Sequence, residues 1–143
     1  ADWKDNTDAL FMGSESQAQA AYRFAHDDDY VYVLVEKLDD NIRPGDNILM
    51  MFHSGNGVAS PFKLNMKVDA AGSGIEVDKN DVVAVSRFTD KGYVVEAAIP
   101  KSMLPLRDGT LRFNAEMVDS GTVDTWNGLT NRNYSKWLPV RLQ

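Results

Sequence analysis

Turn-forming residues divide this chain into short segments, and this punctuation restricts the fold more than any other feature of the sequence. Clusters of Gly, Asp, Asn, Ser and Pro recur at residues 5–8, 27–29, 39–46, 54–57, 70–74, 78–81, 90–92, 107–109 and 119–121. Several of the segments between them alternate apolar and polar residues, as half-buried strands do. The only helical signal is one turn at residues 101–104, just after Pro100 ends a strand.

The alternation also predicts which side chains of each strand face the core. Residues 62–68 alternate almost perfectly, so Lys63, Asn65 and Lys67 are expected to face water. In residues 30–38, the odd and the even positions are both apolar up to Glu36 and Lys37. This pattern predicts a central strand that is covered on both sides. Further strands are expected at residues 17–24, 48–52, 81–88, 92–99, 110–118 and 137–142.

Short strands at regular spacing, joined by polar turns, predict an antiparallel β-sandwich or barrel of about nine or ten strands. With 143 residues, of which 43% are hydrophobic, residues 1–143 are long enough for one domain and one sizeable core. No linker, repeat or low-complexity tract divides them. The chain opens abruptly at Ala1, so we expect a module excised from a larger protein.

Composition excludes several classes of partner and chemistry. The formal charge of −6 argues against nucleic acid, whose phosphates require a basic face. The sequence contains no cysteine, which rules out disulfides, zinc–thiolate sites and a thiol nucleophile. No apolar run approaches the roughly 20 residues of a membrane-spanning helix, so no membrane partner is expected.

Five pieces of the sequence, in this order, resemble the family 9 carbohydrate-binding modules and their relatives. They are residues 21–35, 45–52, 92–104 and 111–119, and a tryptophan-bearing loop before a final short strand. The resemblance implies an all-β, jelly-roll-like antiparallel β-sandwich with one short helical turn. It also implies structural calcium, and a secreted or cell-surface bacterial protein in which the module directs an attached enzyme to polysaccharide.

The long polar segment around Trp126 is the first candidate for ligand binding. An indole ring can stack on the C–H face of a pyranose, which is worth roughly 1–2 kcal/mol of buried apolar surface. Asn127, Asn131 and Arg132 can then hydrogen-bond the sugar hydroxyls, and Trp137 is a second aromatic candidate. The alternative is that Trp126 folds back to cap the core.

Two strand carboxylates, Glu96 and Glu116, form the second candidate. Glu116 alternates in step with Asn114 and Arg112, so these three side chains are expected on one face of their strand. If residues 110–118 neighboured residues 92–99, they would form a patch with Glu96. Such a patch can line a sugar groove or supply oxygens to a cation; the alternative is a solvated face with weak ion pairs. His53, at a strand end, is a further candidate for ligand contact.

For the calcium that the resemblance implies, Asp27, Asp29 and Asp40 offer the hard oxygen atoms that this cation prefers. Clustered aspartates are also ordinary turn formers, so both interpretations stay open.

Two other functions remain possible from the sequence. Relatives of this sandwich bind b-type haem through axial Met and His or Lys ligands, and Met50, Met51 and His53 lie close together, with Lys63, Met66 and Met117 elsewhere. A small glycosidase or lyase would use Glu96 and Glu116 as a carboxylate pair about 5–9 Å apart. Since no catalytic motif is present, we expect a non-catalytic protein.

Overall fold

A computed structural model describes residues 10–13, 19–38, 43–54, 61–105, 111–119, 122–125 and 138–139. They form two antiparallel sheets with the hydrophobic core between them, which confirms the predicted β-sandwich. Among these residues, no helix has the length and apolar character needed to cross a membrane.

The first sheet contains five strands, in the order β1-β2-β3-β8-β7. Their bounds are β1 Leu10–Gly13, β2 Gln19–His26, β3 Tyr30–Leu38, β7 Val83–Thr89 and β8 Gly92–Pro100. A single 3-10 turn, Lys101–Met103, follows β8, as the sequence predicts. The third strand lies between β2 and β8 with all nine of its residues in register with β8, so it is the centre of this sheet.

The second sheet contains six strands, five of them in the order β10-β9-β4-β5-β6. Their bounds are β4 Asn47–His53, β5 Phe62–Val68, β6 Ile75–Val77, β9 Arg112–Asp119, β10 Thr122–Thr125 and β11 Leu138–Pro139. Within the described residues the short β11 pairs only with β9, which agrees with the edge position expected of a strand that contains Pro139. Three short strands, β1, β6 and β10, were not predicted.

The expectation that β3 is covered on both sides is wrong. Its residues alternate strictly, with Val31, Val33 and Val35 fully buried and the intervening residues partly exposed. The same alternation carries Lys37 inward, where the residue is only 1% exposed and its ammonium lies 5.8 Å from the centre of the Tyr93 ring. The aromatic face opposite Lys37 therefore supplies a favourable cation–π contact inside the sandwich.

An aromatic cluster joins the two sheets across the core. The Phe113 ring of β9 lies 5.1 Å from Tyr22, 5.0 Å from Phe24 and 5.3 Å from Phe52, measured between ring centres. Tyr22 and Phe24 belong to the first sheet, whereas Phe52 and Phe113 belong to the second. Complete burial of Tyr22 raises the pKa of its hydroxyl far above the ordinary value, so this ring stays neutral at any physiological pH.

The β7–β8 hairpin depends on a glycine. Thr89 pairs with Gly92, which leaves a two-residue turn between the strands. Gly92 has φ of +154°, and a Cβ atom placed there would lie 1.8 Å from the carbonyl oxygen of Lys37. Because that oxygen belongs to the neighbouring backbone of β3, it cannot move aside as a flexible side chain would.

Substitution of Gly92 should therefore destabilise the fold more than substitution of another glycine with positive φ. We expect Gly92→Ala to lower the free energy of unfolding by about 2–3 kcal/mol. Gly45→Ala is the matched control, because Gly45 has φ of +90° but no atom within 4 Å of the added Cβ. Its cost should be about 1–2 kcal/mol. Urea titration measures both, and equal losses would contradict the close approach to β3.

Candidate functional site

The outer face of the second sheet carries several of the polar side chains that the sequence singles out. We call this surface the β4–β9 face, after its two central strands. The residues that point to it from β5, β4 and β9 include Lys63, Asn65 and Lys67, then Leu49, Met51 and His53, then Arg112, Asn114 and Glu116. It combines cations, a carboxylate and amides, which can donate to and accept from hydroxyl groups.

The register of the strands arranges these side chains in rows. Glu116 lies opposite Leu49, and Leu49 lies opposite Asn65 on the next strand. In the adjacent row, Asn114 is opposite Met51, and His53 lies opposite Arg112 one row further on. Directly opposed residues have Cβ atoms about 4.5–5.5 Å apart, so each row is a group of immediate neighbours.

Burial separates this face into a closed part and an open part. Met51, His53 and Asn114 have no exposed surface although they point away from the core, and Asn114 accepts a 2.9 Å hydrogen bond from the amide of Ala115. Glu116 and Asn65 are partly exposed, and the lysines of β5 are exposed. In this conformation a ligand can contact the row of Glu116, Leu49 and Asn65, which we call the open row, but not His53 or Asn114.

The segment that contains Trp126 begins and ends beside this face. Because β4 occupies one side of β9, both β10 and β11 pair with the other side. Thr125 ends β10 opposite Glu116, and Leu138 begins β11 opposite Phe113. The two ends of the intervening segment are thus attached three residues apart on β9. Trp126, Asn127, Asn131, Arg132 and Trp137 lie outside the described residues, so their contacts stay predictions.

The expected patch of Glu96 with Glu116, Asn114 and Arg112 does not form. It required β9 to neighbour β8, but β9 lies in the second sheet and β8 in the first. Glu96 points outward from the first sheet, between Leu34 and Val85 of the adjacent strands. Two sheets, packed about 10 Å apart, therefore separate Glu96 from Glu116. Their carboxylates are therefore too far apart to act as the catalytic pair of a glycosidase.

Asp27 organises the turn between β2 and β3. One carboxylate oxygen accepts the amides of Asp29 and Tyr30 at 2.9 and 2.8 Å, and the other accepts the Tyr32 hydroxyl at 2.5 Å. These bonds, the Tyr32 hydroxyl first, lower the pKa of Asp27, and the same hydroxyl bond raises the pKa of Tyr32 to about 12. The turn-forming interpretation thus accounts for Asp27 without a cation.

Of the three predicted calcium ligands, Asp27 and Asp29 lie in the same turn of the described part of the chain. No group of three or more His, Asp or Glu side chains suited to a metal ion occurs there. Asp29 is exposed and its carbonyl accepts the amide of Lys101 at 2.8 Å. Asp40 lies outside the described residues. The residues that are described do not by themselves fit a calcium site, and calcium binding stays a prediction.

The methionines proposed for haem are divided between the core and the closed part of the β4–β9 face. Met50, Met66 and Met117 belong to the hydrophobic core, where they fill space between the sheets. Met51 and His53 share the β4–β9 face, and Lys63 is exposed beside them. The core methionines therefore fit the packing interpretation.

Sequence reasoning missed the contribution of Asn65 to this surface. Its alternation predicts only that it faces water, whereas the register places it in one row with Glu116, which is 51 residues further along the chain. No local pattern encodes the order β5-β4-β9. The only sequence signal for this placement was the alternation that puts Lys63, Asn65 and Lys67 on one face of their strand.

The role of Asp27 predicts a pH-dependent loss of stability. Because folding lowers its pKa, the carboxylate stabilises the protein above the ordinary pKa, and this contribution disappears as pH falls through the folded value. Asp27→Asn should thus lower the thermal midpoint at neutral pH, with the deficit narrowing below about pH 4. Asp28→Asn, an exposed neighbour in the same turn, should change little. A deficit independent of pH would contradict this account.

Solved structures share this architecture. One is a family 9 carbohydrate-binding module from Caldicellulosiruptor kristjanssonii in complex with cellotriose, at 18% identity and a TM-score of 0.68, covering 99% of this chain and 84% of that one. Another, from the same organism in complex with glucose, has 17% identity, a TM-score of 0.68, and coverage of 99% and 86%. No protein-family model and no curated protein matches the sequence. The resemblance predicted from the sequence is therefore confirmed for the fold, which is that of the family 9 carbohydrate-binding modules.

Proposed function

We propose that this protein is a carbohydrate-binding module that recognises one or two sugar rings of a polysaccharide or oligosaccharide. The observation that supports this most is the likeness, over 99% of the chain, to modules with bound cellotriose and glucose. A β-glucan is accordingly the first ligand to test. The composition agrees, since an acidic chain without cysteine does not suit nucleic acid or thiol chemistry.

The binding surface in this proposal is the open row of the β4–β9 face together with the Trp126 segment. From β9 and β5, on either side of β4, Glu116 accepts hydrogen bonds from sugar hydroxyls and Asn65 both accepts and donates them. The indole of Trp126 stacks on one pyranose ring, with Asn127, Asn131, Arg132 and Trp137 as further contacts from the same segment. A rigid sheet fixes the polar groups, so that hydroxyl orientation decides which sugar fits.

The module binds without catalysis. Its two candidate catalytic carboxylates, Glu96 and Glu116, lie on opposite outer faces of the sandwich. Binding then serves to hold an attached catalytic domain near its polysaccharide, which raises the effective concentration of substrate at that domain. This role requires a secreted or cell-surface location, which is part of the proposal.

Replacement of Trp126 tests the stacking contact. Trp126→Ala should weaken binding of cello-oligosaccharides about five- to thirtyfold, which corresponds to the roughly 1–2 kcal/mol of a buried ring face. Isothermal titration calorimetry measures the change, and Trp137→Ala serves as the comparison. No heat with any glucan, xylan, mannan or galactan would contradict the proposed function, whereas unchanged affinity would remove Trp126 from the site.

A second pair of variants tests which face binds. Loss of a hydrogen bond to a charged group costs about 1.5–3 kcal/mol, so Glu116→Gln should weaken sugar binding about tenfold or more. Glu96→Gln makes the same chemical change on the opposite side of the sandwich and should leave affinity unchanged. The reverse result would place the sugar on the first sheet.

A further inference from the structure

The outermost strand of the first sheet, β7, differs from every other sheet edge in the described part of the chain. It has seven residues, whereas the edge strands β1, β6, β10 and β11 have four, three, four and two. Natural sheets keep exposed edges short, or protect them with proline, bulges or inward-pointing charges. Within β7 there is no proline or glycine, and its one charge, Arg87, lies on the outer face.

The exposed surface of β7 is also unusually apolar. Val83 and Val85 are 65% and 70% exposed, and both point away from the core beside Ala98 and Glu96 of β8. In the described chain, β7 pairs with β8 on one side and with no strand on the other. A long, regular, apolar edge of this kind is a template for a further strand.

The hairpin geometry identifies the backbone groups available on that edge. In a two-residue hairpin the residues that flank the turn exchange hydrogen bonds, so Thr89, and every second residue before it, bonds to β8. The amides and carbonyls of Ala84, Ser86 and Phe88 consequently point to the open side. These three residues are centred on Ser86, the middle of the strand.

We propose that β7 pairs with β7 of a second copy of this chain, antiparallel about a two-fold axis at Ser86. The two first sheets then form one continuous ten-stranded sheet. Ser86 pairs with its own equivalent, and Ala84 pairs with Phe88 of the other copy. All of the open backbone groups are used, giving about six hydrogen bonds between the copies.

Charge complementarity selects a second copy as the occupant. In this register the ends of the paired strands bring Asp81 of one copy near the Asp90–Lys91 turn of the other. Arg87 of one copy enters the row that contains Val85 and Glu96 of the other. Two strands with one strand between them are about 9–10 Å apart, and an extended arginine can span this distance across Val85. Although each chain carries a net charge of −6, β7 itself contains no acid.

The dimer leaves the β4–β9 face of both copies uncovered, because that face belongs to the other sheet. The pairing stands independently of the proposed sugar binding. If sugar does bind there, the dimer presents two sites, and one polysaccharide chain can engage both with higher avidity.

Sedimentation equilibrium of the full chain over a wide concentration range tests the pairing. The wild-type protein is expected to shift from monomer to dimer as concentration rises. Ser86→Pro removes the central open-side amide, a change that an edge strand tolerates, and should abolish the dimer. Ser86→Ala keeps that amide and should retain it. A wild-type monomer at all concentrations, or a dimer that survives Ser86→Pro with a native circular dichroism spectrum, would overturn the proposal.

Charge exchange supplies a test that does not depend on the proline. Asp81→Lys and Lys91→Glu should each weaken dimerisation roughly tenfold, since each places two pairs of like charges across the interface. The double variant should restore wild-type affinity. Asp81 and Lys91 flank opposite ends of the seven-residue β7, so rescue can arise only between chains. Additive losses in the double variant would rule out this register.

Discussion

Phe113 lies where the two sheets meet, and the rest of the sandwich depends on the contacts of its ring. Aromatic pairs at 5.0–5.3 Å link it to Tyr22 and Phe24 of one sheet and to Phe52 of its own. Tilted and edge-to-face arrangements of this kind contribute about 0.5–1.5 kcal/mol per pair beyond the burial of surface. Phe113 also belongs to β9, the strand that carries Glu116. The same strand therefore anchors the core on one side and presents the candidate site on the other.

Most of the fold could be predicted from the sequence, because the alternation that decides which face of a strand each side chain lies on is a local property. Alternation in residues 62–68 and 92–99 correctly assigns Leu64 and Val95 to the core, and Pro100 correctly ends β8. The order of strands is not local, so the expected patch joining Glu96 to Glu116 was wrong. Lys37 shows the same limit: alternation places it inward, but the contact of its ammonium with the Tyr93 ring depends on the pairing of β3 with β8.

The sequence predicted which residues form the candidate site better than it predicted how those residues are arranged. Glu116 and Asn114 were identified by their shared parity with Arg112, and the structure does place all three on one face. The complete burial of Asn114 and His53 was not predictable, because alternation along a strand tells which face a side chain lies on but not what covers that face. The aspartates of the β2–β3 turn illustrate a further ambiguity. The same oxygen atoms suit either calcium or backbone amides, and in the structure an oxygen of Asp27 accepts two backbone amides.

The attachment of β10 and β11 to one side of β9 has a consequence for how such a protein can change. The segment between them starts and ends three residues apart on a strand that the core holds in place. The entropic cost of closing a loop rises only slowly with its length, by about 0.6 kcal/mol for each doubling. Insertions between residues 125 and 138 therefore add little to the entropic cost of joining these two points. The ligand contacts proposed for Trp126 and its neighbours can therefore diverge while the strands that hold both ends of the segment remain under separate selection.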